Sequence, residues 1–191
     1  MPRSLISHLA AAVLVVGCSD PNEPDHTGSM SFDYHGSLAD APSGSFDVVG
    51  SRKPFEDTYP TGAGGFSNTE GTVTILEITG SRHEGQQEFE MLFSGPPAIG
   101  VVPMCEAATP STTMCVLSGY WLTGMTSIYH FGSPALETPG TTMHVTITAL
   151  TDRRISGTFE GTAVGTCGTC ALTTAADTVS FTNGRFDVPY R

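Results

Sequence analysis

Beyond residue 28, apolar and polar positions alternate with a period of two. Met30, Phe32 and Tyr34 fall on one face, and Ser31, Asp33 and His35 on the other. Phe89, Met91 and Phe93 alternate with Glu88 and Glu90, and Met143, Val145, Ile147 and Ala149 with His144, Thr146 and Thr148. Ile155, Gly157, Phe159, Gly161 and Ala163 alternate with Arg154, Ser156, Thr158, Glu160 and Thr162, and Val179 and Phe181 with Thr178, Ser180 and Thr182. One apolar face per segment predicts antiparallel strands around a single core. The many threonines suit a pleated, half-buried surface, and no amphipathic helix is predicted after the leader. Turn signals separate the runs: Pro42-Ser43-Gly44, Gly64-Gly65, Gly95-Pro96-Pro97, Pro139-Gly140 and Asn183-Gly184. The predicted fold is all-β, an antiparallel β-sandwich of roughly eight to ten strands over 29–191, with a small β-barrel as the alternative.

Two stretches depart from simple alternation. Between Ile75 and Leu76 the phase changes, which predicts a bulge or a strand covered on both faces. Segments 51–71 and 95–114 are rich in Gly and Pro. Bare loops of about 20 residues are uncommon in a compact domain, so each is expected to hide a short strand or to pack as a covering loop.

Residues 1–17 read differently. Arg3 supplies a positive start, and residues 5–16 form an apolar run interrupted by Ser7 and His8. The run is shorter than the ~20 residues of a spanning helix and has the flanks of a secretory signal. It ends in Val15-Val16-Gly17-Cys18, which has the form of a bacterial lipobox. Cleavage before Cys18 would leave an acylated cysteine as the new N-terminus, anchoring the protein to a membrane through its acyl chains. Residues 18–28, the lipidated cysteine with a polar, proline-containing stretch, are expected to be a flexible tether. Ser19, where an inner-membrane protein would carry a retention aspartate, favours the outer membrane.

Charge narrows the partners. The 191 residues carry 8 Lys+Arg, with Lys53 the single lysine, against 19 Asp+Glu, a formal net charge of −11. Phosphates need clustered Lys and Arg, so nucleic acid and anionic headgroups are excluded as primary partners.

Apart from Cys18, four cysteines remain: Cys105, Cys115, Cys167 and Cys170. An even number in an exported chain predicts disulfides, and local pairing of Cys105 with Cys115 and Cys167 with Cys170 is the simplest of three connectivities. A redox role for Cys167-Gly168-Thr169-Cys170 needs a lowered thiol pKa, whereas Gly, Thr and Ala surround it. A zinc site needs two short knuckles, and only one pair has that spacing.

Motifs for a serine hydrolase, a zinc peptidase, a P-loop or an EF-hand are absent, and no cofactor is implied. His35 and His144 sit at polar strand positions, where a solvated side chain is the simplest reading. Glu84, Glu88 and Glu90 form an acidic group. It could hold Ca²⁺ or supply carboxylates for glycoside chemistry, but a solvated strand edge that discourages strand addition is simpler. Tyr120, Trp121, Tyr129 and Phe131 gather the only tryptophan and three other aromatic rings into one segment. Exposed, they would form a platform for a sugar ring or a protein partner; buried, they are core.

The stretch Arg154-Ile155-Ser156-Gly157-Thr158-Phe159, followed by Val179-Ser180-Phe181-Thr182-Asn183-Gly184-Arg185-Phe186-Asp187-Val188-Pro189-Tyr190, resembles the tail of an uncharacterised bacterial lipoprotein family. The resemblance covers about the last 40 residues and implies a lipobox leader with a β-rich domain; it implies no activity. Read from the residues alone, Gly157 and Gly161 give Phe159 room against neighbouring backbone. Asn183-Gly184 predicts either a tight hairpin turn or a bulge in one long last strand. The expected protein is an exported, envelope-anchored lipoprotein acting without catalysis as a binding or structural module, with an envelope protein or a glycan as partner. The alternatives are a glycan hydrolase using the surface carboxylates and a thiol oxidoreductase using Cys167 and Cys170.

Overall fold

The computed structural model describes residues 27–37, 42–51, 61–70, 73–82, 86–106, 111–123, 127–132, 141–166 and 177–190. The regular elements among them are eleven β-strands: β1 (Gly28–Gly36), β2 (Ser43–Gly50), β3 (Gly62–Glu70), β4 (Val73–Arg82), β5 (Gln87–Ser94), β6 (Gly100–Val102), β7 (Cys115–Thr123), β8 (Ser127–Gly132), β9 (Thr142–Leu150), β10 (Arg154–Thr166) and β11 (Thr178–Pro189). All belong to one antiparallel sheet, ordered β2-β1-β11-β10-β8-β7-β5-β4-β3, with β9 and β6 on a branch. The all-β expectation holds. The strands number eleven rather than eight to ten, and the sheet curls into a nearly closed barrel. The two Gly- and Pro-rich segments do hide strands, β3 and β6.

The branch springs from β10. Its first part, Ile155 to Thr162, pairs with β9, and its last part, Val164 to Thr166, pairs with β8. Both occupy the edge of β10 opposite β11. Strand β6 pairs with β9, and the chain beyond β6 reaches the start of β7. There the Cys105 amide donates to the Val116 carbonyl at 2.9 Å, and the Val116 amide to the Pro103 carbonyl at 2.8 Å. Cys105 and Cys115 are disulfide-bonded at this junction, as their spacing predicted. Cys167 and Cys170, like Cys18 and the leader, lie outside the described residues.

Bulges bend the sheet. Register slips occur in β7 between the partners of Leu92 and Phe93, in β9 between those of Ser156 and Gly157, and in β11 between those of Phe159 and Gly161. A bulge adds a residue to one strand and increases its local twist, which turns a flat sheet toward closure. Asn183, at a φ of +56°, lies in the β11 bulge. Its side-chain amide donates to Asp33 Oδ2 at 2.8 Å. Of the two readings of Asn183-Gly184, the bulge is the one realised. It also shifts the inward positions from Val179 and Phe181 to Phe186 and Val188, all of which are buried. No bulge occurs in β4, whose register runs unbroken against β3. Thr79 and Ser81, on the face opposite Leu76 and Ile78, are buried as well, so this part of β4 is covered on both faces.

The two ends of the sheet nearly meet. Ser51 bridges Ala63, and Gly65 bridges Tyr190. Arg82, at the inward end of β4, reaches β2: its guanidinium donates to the Ser45 carbonyl at 3.0 Å and lies 5.1 Å from the Phe46 ring centroid.

Aromatic rings fill the interior. Phe32 lies 4.9 Å from both Phe46 and Phe89, 5.2 Å from Trp121, 5.5 Å from Phe181 and 5.6 Å from Phe159, measured between ring centroids. These rings come from β2, β5, β7, β11 and β10. A barrel of this girth is therefore packed with side chains. The close approaches to glycine differ in one detail from expectation. Phe159 lies over Gly184, where a Cβ would meet its ring at 2.7 Å, and Phe186, not Phe159, takes the space left by Gly157.

Candidate functional site

With the inside filled, polar side chains lie on the outer face of the barrel. Registers of β4, β5, β7 and β8 set its side chains in rows. Ser81, Glu88, Leu122 and Ile128 form one row; Thr79, Glu90, Tyr120 and His130 the next; Glu77, Leu92, Ser118 and Gly132 a third. Directly opposed residues on one face lie about 4.5–5.5 Å apart at Cβ, so each row is a line of neighbours.

Between the second and third rows lies a shallow groove of about 310 Å³. Glu90, Tyr120 and His130 form one side, and Leu92 and Ser118 the other. The floor is low at Gly132, which stands in the third row opposite Ser118 and carries no side chain there. Gly119, whose backbone lies beneath the groove, faces inward and is required there: a Cβ on it would sit 2.1 Å from the Glu90 carbonyl oxygen and 2.2 Å from the buried Phe131 ring. Tyr120 is anchored, its hydroxyl donating to Glu88 Oε1 at 2.8 Å. Its ring centroid lies 6.4 Å from that of His130, with the planes tilted by 55°.

The structure therefore joins two groups that are separate in sequence, the acidic pair Glu88 and Glu90 and the aromatic residue Tyr120. It also corrects two expectations. Glu88 and Glu90 do not decorate a solvated edge: β5 is an interior strand between β4 and β7, and Glu88 is only 4% exposed. The four aromatic residues do not form an exposed platform. Trp121, Tyr129 and Phe131 point inward and are buried, because β7 and β8 turn their odd-numbered residues to the core. Of the four, Tyr120 alone faces out. Glu84 lies outside the described residues. His35 and His144 are exposed, and His35 Nδ1 is hydrogen-bonded to Ser43 Oγ at 3.0 Å. The groove residues that sequence reading did not assign to a site are His130, Ser118 and Leu92. The signal for His130 was present, since it alternates with the inward Tyr129 and Phe131. Among the described residues, no group of three or more His, Cys, Asp or Glu is placed to hold a metal ion.

Two further polar clusters tie strands together. The Tyr129 hydroxyl donates to Asp177 Oδ2 at 2.8 Å, and Ser37 Oγ donates to Asp177 Oδ1 at 3.2 Å. Burial, with the hydrogen bond to the Asp177 carboxylate and its charge, pushes the Tyr129 phenol well above the usual tyrosine range. On another part of the surface, Arg154 grips Asp187 with two nitrogens at 2.7 and 3.0 Å, and Ser156 donates to the same carboxylate at 2.7 Å. Arg154 also donates to the Thr27 carbonyl at 3.1 Å, fastening the point where the chain enters the barrel.

The Arg154 hydrogen bonds hold the Asp187 carboxyl below its ordinary value, against a smaller opposing effect of burial. A carboxylate lowered in this way stabilises the fold above its unfolded pKa, and that contribution is lost as pH falls through the folded one. Because Arg154 and Asp187 are 31% and 45% exposed, the expected size is modest, about 1 kcal/mol. Urea denaturation of Asp187→Asn should show this deficit at pH 7, shrinking toward zero as the pH falls below about 4. A deficit independent of pH would contradict the role assigned to the ion pair.

Comparisons of the chain with protein-family models, with curated proteins and with solved structures found no match.

Proposed function

We propose that this protein is an exported, lipid-anchored component of a bacterial envelope whose β-barrel body works without catalysis, as a binding module. The observation that carries this reading is the order of features along the chain. A short apolar leader ends in Val15-Val16-Gly17-Cys18, a polar tether follows, and a strand-built body begins at Gly28. Several acyl chains on Cys18 give firm anchoring, where a single chain holds only marginally. The nine residues between Cys18 and Gly28 span at most about 32 Å when extended, enough to hold the body clear of headgroups. The Cys105–Cys115 disulfide fits an oxidising compartment. A barrel interior packed with aromatic rings supports binding on the outer face, and the groove beside Tyr120 is a concave surface there.

Mass spectrometry of the mature protein tests the anchor. The expected product begins at Cys18 and carries added diacylglyceryl mass, and Cys18→Ser moves the protein from the membrane to the soluble fraction. An unmodified Met1, or unchanged fractionation of the variant, would overturn the reading.

A further inference from the structure

We propose that the outer groove on β5, β7 and β8 binds one neutral pyranose residue of a glycan, with Tyr120 as the stacking surface. This deepens the binding-module reading above and rests on its claim that the outer face is where binding occurs. The size fits: about 310 Å³ stands at the low end of ligand pockets, which run from ~300 to 1,000 Å³, so the occupant is one small ring rather than an extended chain. The shape fits as well. The low floor at Gly132 lets a flat ring lie close to the sheet, against a tyrosine whose orientation is held by its bond to Glu88. Holding the ring in advance lowers the entropy cost of binding.

Chemistry selects the class. Glu90 offers acceptors, Ser118 a hydroxyl that both donates and accepts, and His130 a ring with one nitrogen of each kind when neutral. A ligand that meets all three carries several hydroxyls, each able to donate and accept. Anionic ligands are disfavoured by Glu90 at the groove wall, by Glu88 in the neighbouring row and by the net charge of −11. A cationic amine would find the carboxylate and the tyrosine face, but it has no acceptor for the donors of Ser118 and His130.

The test uses the purified full-length protein and three probes: chitotriose, maltotriose and spermidine. Isothermal titration measures affinity, and saturation-transfer NMR reports which ligand protons meet the aromatic rings. The expected result is saturable binding of at least one trisaccharide. Ser118→Phe, which fills the groove from its outer side, and His130→Ala should each weaken that binding by about tenfold or more. The emission of the buried Trp121 should stay unchanged in both variants, which shows that the core is intact. Neither trisaccharide binding, binding unaffected by both variants, or spermidine alone binding would each overturn the proposal. Cys18→Ser serves as the separating control. It removes the proposed anchor while leaving saccharide affinity as in the parent, so a failed anchor and a failed groove give different results.

Discussion

Replacing Phe32 by alanine is expected to lower stability by about 3–5 kcal/mol, the usual range for deleting a buried phenylalanine ring. Its place among the core rings puts it at the upper end. It touches rings from five other strands, and they draw on both walls of the barrel, from β2 and β11 to β5 and β7. Those rings cannot all move into the vacated space, because each is held by its own strand register. The fold as a whole has ~5–15 kcal/mol to lose, so the variant should be marginal. Urea denaturation should show a much lower midpoint with the slope little changed. Thr158→Ala, on an exposed position of β10, should stay within about 0.5 kcal/mol of the parent. A Phe32→Ala loss below about 1 kcal/mol would mean that the ring does not occupy the centre of the core.

The second large effect concerns the junction between the branch and the main sheet. Cys105 and Cys115 close a short loop, with a sequence separation of ten. Chain-entropy arguments give about 3 kcal/mol for a loop of this length. The double variant Cys105→Ala/Cys115→Ala is therefore expected to melt about 6–12 °C lower, at ~2–4 °C per kcal/mol for a domain of this size. The loss should also be local. The Val116 amide, bonded to Pro103 across the junction at 2.8 Å, should exchange with solvent much faster, while amides of β10 and β11 keep their relative protection. A variant as stable as the parent, with Val116 still protected, would show that the two hydrogen bonds hold β6 to β7 without the covalent link.

The alternation of side chains reveals which face of each strand is buried, because successive residues of an extended chain point to opposite sides whatever the neighbouring strand is. Met30, Phe32, Phe89, Met91, Phe93, Val145, Ile155, Phe159, Phe181, Phe186 and Val188 are all buried as their spacing predicts. Ala149 is the exception: the β9 bulge lies just before it, and an extra residue reverses the phase. Hairpin neighbours were legible too. Tyr120 and His130 stand at equal distances from the short β7–β8 connection and do pair.

The partnership of Glu90 with Tyr120 was not legible. Strands β5 and β7 are separated in the chain by β6, and β6 joins a different strand, β9. No local pattern states that choice, because strand pairing between distant segments is settled by how the whole set of apolar faces closes around one interior. The same closure took Trp121, Tyr129 and Phe131 into the core and left Tyr120 outside. It also set Glu88 under the tyrosine hydroxyl, where a local reading saw only a charged edge. The chain's own order thus specifies strands, their inward faces and the short cystine loop. The groove exists because distant strands were brought side by side, a non-local outcome of burying many rings at once.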